Sequence, residues 1–244
     1  MKKMIKILVL TLLVVTPFSL QSCDNDGYSL GDYAISYATV KRVTNSYYLQ
    51  LDSGDKLWVS AGYLSYRGID GQRVIANYTI LGDSDGGEFD YYVKVNGLQE
   101  ILTKNVEEVK SEKDDQEFGN DNFYRLNEMW LGGGYLNVGF SYILPKTSEK
   151  HRISLVQNML KGPLEDEYIH LELRYNTYNN VSNYFANGLV SFSTLALDTT
   201  GKKGFKVMWR DRDDKEQIET IDFSVKKEVT VGEKYDAKDL SGIK

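Results

Sequence analysis

Between residues 34 and 96 the chain alternates apolar and polar positions in short runs broken by polar turns, the period of two expected of strands with one buried face. Over 34–43, Ile35 and Tyr37 share one face. Tyr47, Leu49 and Leu51 share a face of the next segment, and Asp52-Ser53-Gly54-Asp55 supplies a hairpin turn into Leu57-Trp58-Val59. Residues 61–71 break the pattern, with room for one short helix. Val74, Ala76, Tyr78 and Ile80 alternate next, and the polar loop 82–87 turns the chain back. Phe89, Tyr91, Val93 and Val95 make a fifth alternating set. Five strands with an insertion after the third match the order of a small OB-type barrel.

The alternation lapses over 107–122, where Glu107-Glu108, Glu112-Lys113-Asp114-Asp115 and Gly119-Asn120-Asp121-Asn122 leave little to bury. It returns with Leu136, Val138, Phe140, Tyr142 and Leu144, then Ile153 and Leu155. Ile169, Leu171, Leu173 and Tyr175 then alternate against Tyr168, His170, Glu172 and Arg174. Further segments run over 189–197, 205–209 and 218–225. Several short strands with one apolar face each require two sheets packed face to face, which is a β-sandwich. The expected fold is therefore all-β, an N-terminal OB-type five-stranded barrel (34–106) and a C-terminal β-sandwich (123–244) joined by a linker (107–122). The tail after Val225 is expected to be peripheral.

The N-terminus follows another pattern. Lys2, Lys3 and Lys6 precede an apolar run over 7–15, and Leu20-Gln21-Ser22-Cys23 closes it. A basic region, a short apolar segment and a small residue before the cut describe a secretory signal peptide. The run falls short of the ~20 apolar residues a spanning helix needs. Leu20 and Ser22 place Cys23, the one cysteine, where a bacterial lipobox presents its acylation site, so residues 1–22 are read as a lipoprotein leader and 23–33 as a lipidated tether. Acyl chains contribute about 0.8 kcal/mol per buried methylene, so multiple chains on Cys23 make a durable membrane anchor. One cysteine also excludes an intrachain disulfide.

Charge narrows the choice of partners. The chain carries 29 Lys+Arg against 35 Asp+Glu, a net −6. Without the three leader lysines the count is 26 against 35, or −9. Phosphate backbones repel such a body, so nucleic acid is not an expected partner.

Chemistry-bearing residues are sparse. His151 follows Lys150 in a polar turn, and His170 sits on the polar face of its strand beside Glu172 and Arg174; both are read as solvated. Cys23 is committed to lipid, and neither a Gly-x-Ser-x-Gly elbow nor a His-Glu-x-x-His helix occurs, so no catalytic residue and no cofactor is expected. Paired carboxylates of a hydrolase stay open only as a further alternative. Asp83, Asp85 and Glu88 crowd one loop and Asp211, Asp213 and Asp214 another. Calcium takes clustered carboxylates, but neither loop has EF-hand spacing, and acidic residues serve turn backbones in their own right. These loops are calcium candidates only, and no metal centre is expected. The candidates for ligand contact are Tyr48, Trp58 and Tyr92, which project from the faces opposite the apolar ones. OB-type barrels bind oligosaccharides or oligonucleotides across such a face.

The order of elements resembles a known family. Asp-Gly-Tyr-Ser-Leu-Gly-Asp-Tyr (26–33) follows the lipobox, then Ser-Tyr-Tyr-Leu-Gln-Leu-Asp (46–52) and Lys-Leu-Trp (56–58). Asp-Gly-Gln-Arg-Val-Ile-Ala-Asn-Tyr-Thr-Ile (70–80), Tyr-Tyr-Val-Lys-Val-Asn (91–96) and Ile-Leu-Thr-Lys (101–104) complete the set. Together these resemble the NigD-like lipoproteins of Bacteroidota, densely over 26–104 and more thinly beyond Phe123. The resemblance implies an OB-type domain followed by a β-sandwich. It brings no established catalytic or binding residue. The family takes its name from a gene linked to a bacteriocin operon, for which an immunity role was proposed. Asp24-Asn25-Asp26-Gly27 is similar to the acidic tag that sends lipoproteins of that phylum to the outer face of the outer membrane, and Asp198-Thr199-Thr200 to its O-glycosylation motif. The expectation is a non-catalytic cell-envelope lipoprotein of the outer membrane, surface-exposed or periplasm-facing, that binds a protein or a glycan. Bacteriocin immunity is the alternative.

Overall fold

The computed structural model describes residues 28–225, apart from 85, 163 and 165, together with 242–244. The leader and Cys23 lie outside the described residues. No helix among those described is long and apolar enough to cross a membrane.

Five strands close a barrel in the order β1 (Ala34–Val43), β2 (Ser46–Leu51), β3 (Lys56–Gly62), β5 (Tyr91–Glu100), β4 (Arg73–Asp83). The long β1 pairs with both β2 and β4, and β3 meets β5 in parallel, which is the OB arrangement. A bulge between Val59 and Ala61 lets β3 bend along β5. Gly62, at φ +83, passes so close to the Val95 backbone that a side chain there would collide with it. Val40, Tyr47, Leu49, Leu57, Val74 and Val93 fill the interior. The face of β1 that carries Ile35 and Tyr37 points the other way: Ala38 and Val40 enter the core, Ile35 is exposed and Tyr37 is buried against the second domain. Ala38 and Val40 leave the interior to larger side chains from neighbouring strands such as Tyr47 and Tyr78, and the bulkier residues of β1 lie on its outer surface. Residues 63–72 hold turns instead of the short helix expected there.

Nine further strands build the sandwich. One sheet runs β14 (Glu216–Asp222), β13 (Gly204–Arg210), β11 (Tyr168–Asn176), β10 (Arg152–Asn158), β7 (Glu107–Val109). The other runs β6 (Leu102–Asn105), β12 (Phe185–Ser193), β9 (Tyr135–Ile143), β8 (Arg125–Gly132). Leu136, Val138, Phe140, Leu155, Leu173 and Phe192 interdigitate between them. The stretch 107–122, expected as a linker, belongs to this domain. Its β7 pairs in parallel with β10, and helix α1 (Glu112–Phe118), capped by the Ser111 hydroxyl, presses Phe118 onto Val109 and Val156. Two apolar residues nine positions apart give no periodic signal, so this docking is invisible to patterning. Of the tail after Val225, residues 226–241 lie outside the described residues; Ile243, at its end, is buried and bridges to His151.

The two domains share a sealed seam. Tyr37, Ile75 and Ile101 of the barrel side meet Trp130 and Leu189 of the sandwich, with the Tyr37 and Trp130 ring centroids 5.3 Å apart. Beside them lies Arg73, fully buried. Its guanidinium donates to both Asp52 carboxylate oxygens at 2.6 and 2.8 Å, to Thr39 Oγ1 at 3.0 Å and to Asn137 Oδ1 across the seam at 3.4 Å. The Gly132-Gly133 turn of the β8–β9 hairpin lies against Asp52, where any Cβ would strike its carboxylate.

Candidate functional site

The inward positions of β2 and β3 are Tyr47, Leu49, Leu57 and Val59, so strand alternation sends Tyr48 and Trp58 outward. Tyr48 stands opposite Trp58 in the β2–β3 register, and Trp58 stands opposite Tyr92 in the β3–β5 register. The three candidate side chains therefore form one row across three hydrogen-bonded strands. Lys41 extends it on the β1 side, and Gly82, with open space around its Cα, extends it on the β4 side. Tyr92 is 41% exposed and the other two are half-buried.

A fourth ring completes this surface. Phe89 lies 4.8 Å from the Trp58 ring and 5.2 Å from that of Tyr48, both tilted or edge-on. Patterning places Phe89 on the inward face with Tyr91, but β5 begins only at Tyr91. The chain bends at Asp90, whose carboxylate accepts from the Lys56 amide at 2.7 Å and whose own amide donates to the Lys56 carbonyl at 2.9 Å. That clamp turns Phe89 out over the row. Adjoining rings with Lys41, Gln50 and Lys56 on the flanking positions offer apolar area edged by donors, which suits a ligand with apolar faces and hydroxyl edges.

The acidic loops are put to other uses. Asp83 accepts from the Tyr28 hydroxyl at 2.5 Å, and this bond to a carboxylate pushes the Tyr28 pKa up to about 12. Tyr28 also meets Tyr91 edge-on, so the start of the described chain is pinned to the barrel. Glu88 lies 3.9 Å from Lys56, and Asp85 is outside the described residues. Asp211 accepts from the amides of Asp213 and Lys215, and Asp214 pairs with Arg210. Among the described residues no group of three or more His, Cys, Asp or Glu is placed to hold a metal ion.

Neither histidine is simply solvated. His151 is fully buried, with Nδ1 2.6 Å from the Tyr175 hydroxyl and Nε2 2.6 Å from the Asn180 carbonyl. A carbonyl can only accept, so Nε2 carries a proton, and in the neutral ring Nδ1 accepts from Tyr175. His170 Nε2 lies 2.8 Å from Asp166, whose other oxygen accepts from Lys206 at 2.8 Å. These two bonds hold the Asp166 carboxyl well below the usual carboxylate range. Both imidazoles thus serve structural contacts in this geometry, and neither addresses a Ser or Thr hydroxyl. Glu172 and Arg174, on the same outward face as His170, are buried in an ion-pair network with Lys161 and Asp115.

Comparison with known proteins agrees with the architecture. Residues 37–101 match the NigD-like N-terminal OB domain and residues 105–224 the NigD-like C-terminal beta sandwich domain. A solved structure of a protein of unknown function from Bacteroides vulgatus is 28% identical, covering 87% of this chain and all of that one, at a TM-score of 0.69. One from Parabacteroides distasonis, provisionally named as toxin-related, is 32% identical over 79% of this chain and 93% of its own, at 0.65. A NigD-like immunity protein from Bacteroides caccae shares the fold at 16% identity and a TM-score of 0.51, covering 79% of this chain and 93% of its own. No curated protein sequence matches the chain. With both family domains matched in order on the two domains of the fold, the chain belongs to the NigD-like family.

Proposed function

We propose that the chain is a non-catalytic cell-envelope lipoprotein, anchored through acylated Cys23, whose barrel binds a glycan on its outer aromatic face. The observation that carries the reading is the in-register row Tyr48–Trp58–Tyr92 on adjacent strands, outside a barrel whose core is already filled. Neighbouring strands are about 4.8 Å apart, so the row spans roughly 10 Å, a length that suits successive sugar rings. The acidic composition favours a neutral chain over a polyphosphate. Screening the mature chain against an oligosaccharide array tests the reading. Replacing Tyr48, Trp58 and Tyr92 together by alanine should abolish the glycan signal while the thermal transition stays cooperative, and undiminished binding would sink the proposal. Protease shaving of intact cells, beside a Cys23→Ala variant, tests the anchor; a soluble wild-type chain would count against it.

Bacteriocin immunity is a second reading, favoured by membership of the NigD-like family. It predicts that deleting the gene sensitises the producer to a co-encoded toxin and that the barrel variants leave protection intact.

A further inference from the structure

The outer face of the sheet β14-β13-β11-β10-β7 carries a cleft of about 740 Å³, within the usual range of small-molecule sites. Its floor is set by register. His170 stands opposite Lys206, and Glu172, Met208 and Ile218 line up on successive strands. Met159, Lys161, Gly162 and Leu164 from the chain before β11, and Leu197, Asp198 and Lys202 from the chain before β13, complete the lining at one end of the sheet. Asp166 is tied by its carboxylate to His170 and Lys206 and by its carbonyl to Lys202.

Two properties of the lining indicate its ligand. The first is aliphatic surface left in water. Met159, Leu164 and Ile218 are 54%, 61% and 64% exposed, and they adjoin the half-buried Leu197 and Met208. Contiguous exposed apolar surface of this kind marks interaction sites, and Met in particular adapts to flexible chains. The second is charge. The described lining holds three lysines (161, 202 and 206); Lys161 pairs with Glu172, Lys206 with Asp166, and Asp198 accepts from the Thr200 amide, so Lys202 is the lining lysine without an ion pair among the described residues. Glu172 is already neutralised at the floor by Arg174, and Lys202 makes its bond to a neutral carbonyl, so its charge is available to a ligand. The barrel row differs in kind: its rings are aromatic and its edges hydrogen-bonding, whereas this cleft is aliphatic and carries one lysine, Lys202, whose bond is to a neutral carbonyl.

We infer that the sandwich cleft is a second binding site, for an amphiphile with one anionic head and an aliphatic chain, the head meeting Lys202 and the chain lying along Met208, Ile218 and Leu197. Such an anion is available as a free fatty acid or as a membrane lipid.

The test uses the mature chain carrying Cys23→Ala, with palmitate titrated by calorimetry and phosphatidylglycerol vesicles tested by co-sedimentation. Palmitate is expected to bind, Lys202→Gln to weaken it about tenfold by removing one charge-assisted contact, and Ile218→Asp to abolish it. Ile218 is mostly exposed, so the latter variant should keep its fold, checked by its melting transition. Binding to vesicles alone, lost in the same two variants, assigns the head group to a membrane lipid and also supports the site. Absence of binding to either probe, or binding that both variants retain, overturns it. Trp58→Ala should leave palmitate binding unchanged, which separates failure of this site from failure of the barrel face.

Discussion

The barrel turns two outward faces to its surroundings, and they have opposite fates. The face formed by β1 and β4 carries Tyr37, Thr39, Arg73 and Ile75; all four are buried, sealed by the β8–β9 hairpin and by Leu189 of the sandwich. The face formed by β2, β3 and β5 carries Tyr48, Trp58 and Tyr92, and Phe89 lies against the first two of these rings. Both faces present aromatic and polar residues at alternate positions. What separates them is a second domain, and that domain brings two glycines and Asn137 to the buried Arg73 and its Asp52 partner. An outward residue on an alternating strand is therefore a candidate for a ligand or for a domain seam, and only the neighbour distinguishes the two.

The largest expected effect breaks the seam. Asp52→Ala leaves the Arg73 charge buried without its carboxylate, which should cost about 3–5 kcal/mol, and urea unfolding should show it as a lower midpoint. A cost near that of an exposed ion pair, about 0–1 kcal/mol, would mean that the seam opens to water. The open face should respond much less. Phe89→Ala removes two ring contacts worth about 0.5–1.5 kcal/mol each and uncovers Trp58. Its fluorescence should shift red with only a modest loss in thermal stability; a loss matching that of Asp52→Ala would make the row part of the core.

The smallest effect concerns the sandwich clamp. Because the folded pKa of Asp166 is lowered, its contribution is complete above the ordinary carboxylate range and is lost only as pH falls through the lowered value. The carboxyl carbon of Asp166, followed by NMR, should titrate well below the usual carboxylate range. Lys206→Gln should move that titration upward, and an unmoved titration would mean that the Lys206 bond does not form in solution.

Much of this was legible in residue order. Val74, Ala76, Tyr78 and Ile80 enter one core, Leu136, Val138, Phe140 and Tyr142 another, and Asp52–Asp55 makes its turn, because alternation and turn chemistry act over a few residues. The placement of Tyr48 and Trp58 outside the barrel follows from the same period. Phe89 escaped because a side-chain bond to Lys56, 34 positions away from Asp90, reverses its face. His151 escaped because its burial depends on Tyr175, Asn180 and the returning Ile243. Glu172 and Arg174 lie on the polar side of their strand's alternation, yet Lys161, Asp115 and α1 close over them.

By itself the sequence determined most of the strands, though not β6, β7 or β8, which side of most of them is apolar, and the order that makes a barrel precede a sandwich. Tertiary structure alone decided which polar sides would be covered. Periodicity records the chemistry of a face, whereas burial depends on what another part of the chain, often far away in sequence, lays against it.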